Sequence, residues 1–333
     1  MKLRVKLLLY VGIPFCIIFF AVSVFSYWNA STLLKESTER EMMTLAELDA
    51  EQVNEMIEAQ RGTLGGLTEA WSSGLPSNEA FAPVGKRFME REGVNTLFIG
   101  FPERDFLDSE EGVVPKAEFD ATTRDWYKNA AQNDGVQISD IYIDDFTKIK
   151  VVTLSKAVRS NGELLGVVAA DIRFDSIEKK VASFQVGKTG EAFMLDADGR
   201  FICHPVLTLD DNIKDEGPDK ETTYLSREPI FFEGSYQDVA MFYAVHPVGD
   251  TGWNLVLFVP QEEIFADIAH LKWMMIGSAL FALALMGAIL LYIARSISLP
   301  IETLETVAAK VAKGDLSAKL MPTDRQDEIG SLH

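Results

Sequence analysis

The chain has 333 residues, of which 50 are acidic and 31 basic, and its net charge at pH 7 is −19. This excess of negative charge argues against a nucleic-acid partner and predicts a solvated acidic surface. The two cysteines, Cys16 and Cys203, lie in an apolar N-terminal run and in a predicted strand, so no disulfide is expected. The four histidines are scattered without metal-ligand spacing, and no metal site is predicted.

Two apolar stretches are predicted to be transmembrane helices. The first, 7–28, follows three basic residues and ends at Tyr27 and Trp28, an aromatic pair typical of the membrane interface. A signal peptide has the same basic start, but no clean small-residue cleavage site follows this run. The second, 272–294, contains an uncharged run and ends beside Arg295. The flanking basic residues place both termini in the cytoplasm and the intervening chain outside it.

The segment 29–70 is predicted to be one long helix, because apolar residues recur at steps of three and four with Glu and Gln between them. So narrow an apolar seam favours a dimer stalk, and a homodimer is expected. The alternative is a helix packed on its own domain. The seam residues are Met42, Leu45, Leu48, Val53, Met56, Ala59 and Leu67.

The next segment, 71–175, is predicted to be an α+β module with a sheet of five or six strands. Ser77 is the expected cap of a helix over 77–92, although Pro83 implies a kink or a later start. Ser160-Asn-Gly162 predicts a hairpin turn. The other predicted elements are a strand at 95–101, a helix at 122–133, and strands at 138–144, 151–158 and 164–172.

A weaker copy of this pattern occupies 176–270. A helix at 176–182 is followed by two strands around an Asp196-Ala-Asp-Gly199 turn, then by strands at 239–245 and 253–259. The segment 261–270 leads helically into the second span. This copy has no comparable set of candidate ligand-binding residues, so a coupling role is expected for it.

The last segment, 295–333, begins a helix at Pro300, with apolar residues at heptad-like spacing that end at Gly314. An extended connector is predicted at 316–322. The run Asp327-Glu-Ile-Gly330 then begins a further element.

Two spans flanking a tandem α/β sensor resemble a double Cache receptor, and the final segment resembles a HAMP domain, here incomplete. The implied fold is an α+β membrane protein with two transmembrane helices, a tandem PAS-like extracytoplasmic sensor on a long N-terminal helix, and a cytoplasmic helical segment. The implied division is a cytoplasmic N-terminus (1–6), a transmembrane helix (7–28), a stalk helix (29–70), a membrane-distal ligand-binding module (71–175), a membrane-proximal module (176–270), a second transmembrane helix (272–294) and HAMP (295–333).

A sharper resemblance lies in the distal module. Amino-acid-binding double Cache domains carry Tyr, four residues, Arg, one residue and Trp-Tyr, followed by Tyr-x-Asp and a later Asp. The matching positions here are Phe119, Arg124, Trp126, Tyr127, Tyr142, Asp144 and Asp171. Phe119 departs from the pattern, because the family has Tyr there. The resemblance implies that Arg124 and Trp126 hold the ligand carboxylate, and that Tyr127, Tyr142, Asp144 and Asp171 hold its ammonium.

The residue chemistry is consistent with these roles. The planar fork of arginine binds a carboxylate bidentately, and a desolvated ammonium needs oxygen acceptors around it. Each residue also has a structural alternative: Arg124 pairing with a neighbouring aspartate, Trp126 and Tyr127 as core, and Asp144 as a turn cap. Asp171 lies near the end of an apolar strand, where a buried carboxylate needs a partner.

The expected function is that of a transmembrane chemoreceptor in the cell inner membrane, with its sensor periplasmic or extracellular. Its expected partners are an amino acid or related zwitterion, the lipid bilayer, a second copy of the chain, and a cytoplasmic chemotaxis kinase and adaptor. No catalytic motif or cofactor motif occurs, so the chain is not expected to be an enzyme. A sensor histidine kinase, a cyclic-dinucleotide enzyme receptor, and a sensor for amines or organic acids remain the alternatives.

Overall fold

The computed structural model describes residues 8–313 except 92, 104, 145–146 and 217–221, with the backbone only for 8, 9, 267–271 and 294. The chain divides into two compact units, one of Ser37–Ile264 and one of Met1–Glu36 with Phe265–His333. The predicted N-terminus 1–6, the helix end at Gly314, the connector 316–322 and the element at 327–330 lie outside the described residues.

A single long helix, α1 (Ile13–Ala70), follows a short π-helical segment at Leu8–Gly12. The part of α1 in the larger unit buries one stripe at steps of three and four residues. The stripe consists of Thr38, Met42, Ala46, Ala50, Val53, Ile57, Gln60, Leu64 and Thr68. It shares only Met42 and Val53 with the predicted dimer seam, whose Leu48 is 55% exposed. The helix therefore packs on its own unit along this stripe, and the dimer seam stays a prediction.

Two polar contacts fasten α1 to the rest of its unit. Arg61 Nη1 donates to both carboxylate oxygens of Asp250, at 2.7 and 2.9 Å. Arg91 Nε donates to Gln60 Oε1 at 2.9 Å. Because Arg91 and Asp250 belong to different halves of the unit, one stretch of α1 holds both halves.

The first half of the unit is a six-stranded antiparallel sheet in the order β3-β2-β1-β6-β5-β4. This confirms the predicted mixed helix-and-sheet module. Its elements are α2 (Asn78–Met89), β1 (Val94–Gly100), β2 (Phe106–Asp108), β3 (Gly112–Val114), α3 (Asp125–Gln132), β4 (Gln137–Ile143), β5 (Lys150–Ser160) and β6 (Glu163–Arg173). The β2–β3 hairpin was not predicted, because strands of three residues are too short to show alternation.

Local signals in this module had the expected effects, with one exception. Ser77 caps α2 by accepting a hydrogen bond from Ala80 N at 3.4 Å. The helix begins at Asn78 and runs through Pro83, so the predicted later start is wrong. Asn161 and Gly162 both have positive φ, at 51° and 88°, as a type I′ hairpin turn requires.

The second half of the unit is a five-stranded antiparallel sheet in the order β8-β7-β11-β10-β9. Its elements are α4 (Phe174–Val181), β7 (Glu191–Leu195), β8 (Phe201–Cys203), β9 (Ile230–Tyr236), β10 (Val239–Val248) and β11 (Trp253–Pro260). Strand β9 was missed, because its side chains are half-buried or exposed along its whole length and give no clear apolar pattern.

Two helices follow, α5 (Gln261–Ile293) and α6 (Leu299–Ala312), with a π-helical segment at Ala294–Ser298 between them. The helices Tyr10–Ala70 and Lys272–Ala312 are long and apolar enough to cross a membrane. Large apolar side chains in both are exposed; Phe20 and Phe281, for example, are each 71% exposed. Hydrocarbon tails rather than protein would cover such surfaces.

The first turn of α5 is tied back to the five-stranded module. Glu263 accepts hydrogen bonds from the backbone N of Lys188 and of Thr189 and from the Thr189 hydroxyl. The Thr189 hydroxyl bond is the main cause of a lowered pKa of Glu263. Gly187, with φ +61°, lies so close that an added Cβ would stand 2.4 Å from Glu263 Oε1.

Gly187→Ala is therefore expected to destabilise the chain more than Gly135→Ala. Both glycines have positive φ, but a Cβ at Gly135 would meet nothing within 4 Å. The backbone strain of the two variants should be alike. The added Cβ of Gly187→Ala would also push the Glu263 carboxylate away from Lys188 and Thr189, so this variant alone should lose those hydrogen bonds, a cost of about 0.5–1.5 kcal/mol. Thermal unfolding of the full chain in lipid nanodiscs, followed by circular dichroism, measures the difference. Equal melting temperatures of Gly187→Ala and Gly135→Ala would show that the contact with Glu263 does not contribute to stability.

Candidate ligand-binding site

A row of polar side chains crosses one face of the six-stranded sheet. Thr96 on β1 and Thr153 on β5 both pair in register with Asp171 on β6. Residues directly opposite one another point to the same face, so the three side chains stand side by side. Tyr142 on β4 and Asp108 on β2 extend the row through hydrogen bonds to Thr153 and Thr96, at 2.8 and 3.1 Å.

Asp171 is the most deeply buried member of this row, with 2% of its surface exposed. Its Oδ1 accepts hydrogen bonds from Thr153 Oγ1 at 2.6 Å and from the Tyr142 hydroxyl at 3.3 Å. Its Oδ2 accepts no hydrogen bond from the described residues. Since buried carboxylate oxygens are normally hydrogen-bonded, Oδ2 is open to a donor from a ligand.

Burial raises the pKa of Asp171 to about 7, and the negative charges of Asp144 and Asp108 add to the rise. The hydrogen bonds from Thr153 and Tyr142 only partly oppose it. The pKa of Tyr142 is also raised, first by burial and then by Asp171. A cation placed among these groups would favour the ionised form of Asp171.

Asp144 follows β4 and is 7% exposed. Its Oδ2 accepts hydrogen bonds from Thr147 N at 2.7 Å and from Thr147 Oγ1 at 2.5 Å, so Asp144 does cap a turn. Its Oδ1 has no hydrogen-bond partner among the described residues. The turn fixes the carboxylate and leaves one oxygen available.

Two cavities adjoin on this face of the sheet. The inner one has a volume of about 80 Å³ and includes Asp171 in its wall. The outer one has a volume of about 310 Å³ and includes Arg124. Four residues line both: Phe119, Trp126, Tyr142 and Asp144. A ligand that spans them therefore meets the guanidinium of Arg124 only in the outer cavity, whereas carboxylates line both cavities.

Arg124 is not part of the predicted helix 122–133, which the structure divides. A 3₁₀ turn at Ala121–Thr123 precedes it, α3 follows it, and Arg124 itself is extended, with φ −81° and ψ 147°. Its Cζ lies 4.8 Å from the centroid of the Phe119 ring. Phe119 therefore serves as a platform for the guanidinium.

Trp126 and Tyr127 are neighbours at the start of α3, but they occupy different environments. The backbone carbonyl of Trp126 is anchored to β5 by the Ser155 hydroxyl at 2.9 Å, and its ring lines both cavities. Tyr127 is 5% exposed and lines neither cavity, and its hydroxyl has no hydrogen-bond partner within the described chain. Both rings pack on Gly100, where a Cβ would come within 2.9–3.0 Å of them.

The structure therefore brings six of the seven predicted residues to the cavity walls and places Tyr127 in the core beside Trp126. The predicted role of Tyr127 at the ammonium has no geometry to support it here. The roles of the other six residues stay predictions, and their positions in the cavity walls are consistent with those roles.

The site also contains residues that the sequence analysis missed. The β2–β3 hairpin contributes Phe106, Asp108, Glu110 and Glu111 to the inner cavity. Asp108 is 7% exposed, and its Oδ1 accepts the backbone N–H of Glu110 at 2.7 Å and of Glu111 at 3.0 Å. The run Asp108-Ser-Glu-Glu-Gly112 between two apolar pairs was the available signal for this turn.

The five-stranded module has a cavity of a different kind. Its volume is about 60 Å³, and its described lining is mostly aromatic, with His204 and Ser235 among it and no acidic or basic side chain other than His204. His204 Nδ1 accepts backbone hydrogen bonds from Val206 and Leu207, at 3.0 and 2.9 Å. This lining has no feature that suits both ends of an amino acid.

Comparison with known families decides the class of the protein. The model of the Cache domain matches residues 30–268. The chain belongs to the Cache domain family. A HAMP domain model matches residues 292–332, which begin at the end of α5. The Cache match covers both β-sheets, so the tandem arrangement described above is that of this family.

Relatives of this Cache protein are chemotaxis proteins. Methyl-accepting chemotaxis protein PscA of Pseudomonas syringae pv. tomato is 24% identical over 98% of the chain and 52% of its own length. Methyl-accepting chemotaxis protein TlpB of Bacillus subtilis is 26% identical over 72% of the chain and 35% of its own length. The chain thus spans about half or less of these relatives.

Among solved structures, the ligand-binding domain of the Pseudomonas fluorescens chemoreceptor CtaA in complex with L-leucine superposes with a TM-score of 0.58. It is 19% identical and covers 70% of this chain and 99% of its own. At this identity the likeness shows that the Cache fold is shared.

Asp171→Asn is expected to raise the melting temperature of the ligand-free chain more at pH 8 than at pH 5. The folded-state pKa of about 7 exceeds the ordinary value of 3.8, so the folded chain holds an extra proton between these values. Stability is therefore lost progressively as the pH rises from 3.8 to about 7, because the unfolded chain ionises there while folded Asp171 keeps its proton beside Asp108, Tyr142 and Asp144. Above pH 7, folded Asp171 carries its charge at the full cost.

The amide removes this charge, and the gain should be a few degrees, since about 1 kcal/mol moves Tm by about 2–4 °C in a chain of this size. Thermal scans at both pH values in nanodiscs measure it. Asp134→Asn, at an exposed position away from both cavities, is the control. An equal gain at pH 5 and pH 8 would contradict the charge argument.

Proposed function

We propose that this chain is the sensing and transmembrane part of a chemoreceptor, and that an α-amino acid or related zwitterion binds between the two cavities of the six-stranded module. The carrying observation is the separation of charges along the cleft. Arg124 lines only the outer cavity, Asp171 lines only the inner one, and Asp144 lines both. Asp125 and Asp140 also line the outer cavity, where Arg124 is the one basic side chain among the described lining residues. The chemotaxis relatives and the leucine-bound structure of shared fold support it.

The outer end suits a carboxylate. Arginine presents parallel N–H donors that match the two oxygens of a carboxylate, and the Trp126 indole supplies one further N–H in the same cleft. The Phe119 ring holds the guanidinium from one side.

The inner end suits an ammonium. Its three N–H donors need three acceptors, and Asp144 Oδ1, Asp171 Oδ2 and the Tyr142 hydroxyl oxygen belong to side chains that line one cavity of about 80 Å³. The charge of the ammonium also offsets the repulsion that raises the pKa of Asp171. Ligands lacking either charged end would leave buried polar groups unpaired.

Phe119 modifies this site. The missing phenol removes one neutral hydrogen bond, a loss of about 0.5–1.5 kcal/mol. A tyrosine ring would make the same contact with Arg124, so the Phe119 ring does not offset this loss. A ligand that needs no hydrogen bond from a phenol at position 119 would not be affected by the change.

Signal transmission would use the direct continuation of β11 into α5, the helix that enters the second span. The Glu263 contacts couple the first turn of α5 to the five-stranded module. A shift of about 1–2 Å in a bistable helical bundle is sufficient for transmission of this kind. The matched HAMP segment would receive it within a homodimer, at the cytoplasmic side of the inner membrane, and pass it to a chemotaxis kinase and adaptor.

The standard L-amino acids, added singly to the full chain in lipid nanodiscs, are expected to include at least one that raises the melting temperature. A ligand at about 100 times its Kd stabilises by about 2.7 kcal/mol. Arg124→Ala should lower the affinity for that ligand by about 10- to 150-fold, because a hydrogen bond to a charged group is lost. Arg124→Lys should recover little, since lysine has no bidentate fork.

Arg87→Ala is the matched control, because Arg87 is exposed on α2 and lines neither cavity. Isothermal titration calorimetry of all four proteins gives the affinities. The proposed site would be refuted if an amino acid bound Arg124→Ala as tightly as it binds the unmodified chain. It would also be refuted if the only stabilising ligands were amines that lack a carboxylate.

A further inference from the structure

The inner cavity contains more negative charge than a simple amino acid can balance. Five carboxylates line it: Asp108, Glu110, Glu111, Asp144 and Asp171. No lysine or arginine occurs among its described lining residues, and none of the described basic side chains forms an ion pair with these five. One α-ammonium would balance one of these charges.

The excess lies on one side of the cavity, on the β2–β3 hairpin. Asp108 is buried and held by hydrogen bonds from Thr96 and from the turn backbone. Glu110 and Glu111 are exposed residues of that turn, and their side chains accept no hydrogen bond from described residues. This acidic hairpin (Asp108, Glu110 and Glu111) is separate from Asp144 and Asp171, which suffice for the α-ammonium.

Aromatic side chains share the wall of the inner cavity with both sets of carboxylates, the hairpin set and the pair Asp144 and Asp171. The rings of Phe98 and Trp126 lie 5.1 Å apart between centroids, and those of Phe98 and Phe106 lie 5.3 Å apart. All three line the inner cavity. An apolar wall that ends at carboxylates complements a side chain with an apolar stem and a cationic tip.

We infer that the ligand carries a second positive charge on its side chain, which the acidic hairpin binds, so that the preferred ligand is a dibasic α-amino acid of the lysine, ornithine or arginine type. The inference rests on the proposed amino-acid site. In this arrangement the α-carboxylate lies at Arg124, the α-ammonium at Asp144 and Asp171, and the side-chain cation at the hairpin.

The test is calorimetric titration of the full chain in lipid nanodiscs with matched ligands. L-lysine is compared with L-norleucine, which has the same stem without the terminal ammonium, and L-ornithine with L-norvaline. L-arginine completes the dibasic set. At least one dibasic ligand should bind about tenfold more tightly than the neutral ligands, the change expected for one charge-assisted hydrogen bond.

The double variant Glu110→Gln with Glu111→Gln should remove that preference, so that the ratio of the dibasic to the neutral affinities falls by about tenfold. The control is Glu118→Gln with Glu163→Gln, which removes two charges from exposed positions that line neither cavity. This control variant should keep the preference for dibasic ligands. If the control also lost the preference, only the overall charge of the chain would matter, and the assignment of the second cation to the hairpin would be overturned.

The remaining outcomes separate the two proposals. Neutral and dibasic amino acids of equal affinity, both weakened by Arg124→Ala, would overturn the second cation and leave the amino-acid site intact. Binding of cadaverine, which has two ammoniums and no carboxylate, without binding of any amino acid would overturn the proposed function, and this inference with it.

Discussion

The six-stranded module buries several carboxylates on one face of its sheet, and no basic side chain occurs among the described residues that line the inner cavity there. This burial is energetically unfavourable, and the rest of the module depends on it. Removing a charge from water is unfavourable, and like charges nearby make it worse. The unfavourable free energy is largest for Asp171, because strand register places it at the centre of the row between Thr96 and Thr153. A cation bound beside Asp171, such as the ammonium of the proposed ligand, would offset this cost.

The rest of the six-stranded module holds this arrangement in place. The Asp144 turn and the Asp108 turn each use part of a carboxylate for backbone hydrogen bonds, which fixes the direction of the charge. Gly100 leaves room for two aromatic rings to pack directly on β1. Arg124 reaches the cleft because it caps α3 in an extended conformation. Defined elements of the fold thus present the guanidinium and the carboxylates to the two cavities.

Much of this architecture could be predicted from the sequence. The two apolar helices and most strands depend on local pattern or composition, and these signals were sufficient. The set from Phe119 to Asp171 came from the family resemblance, and its roles stay predictions. The acidic hairpin was missed because its strands are too short for periodicity. Neighbouring residues on a helix point in different directions, so the motif alone could not show that Trp126 lines the cavities and that Tyr127 packs beside it. The buried stripe of α1 differed from the predicted dimer seam for a related reason. Apolar spacing indicates that one face of a helix is buried, but it does not show whether the chain's own module or a second chain buries it.

The two contacts of α1 with both sheets have a practical consequence for building hybrid receptors. Gln60 and Arg61, which are adjacent on the helix, bind Arg91 in one module and Asp250 in the other. A donor sheet inserted alone at 71–175 would meet a foreign helix face and lose its partner at position 60. The exchangeable cassette is therefore the whole of Ser37–Ile264, with junctions inside α1 and at the first turn of α5.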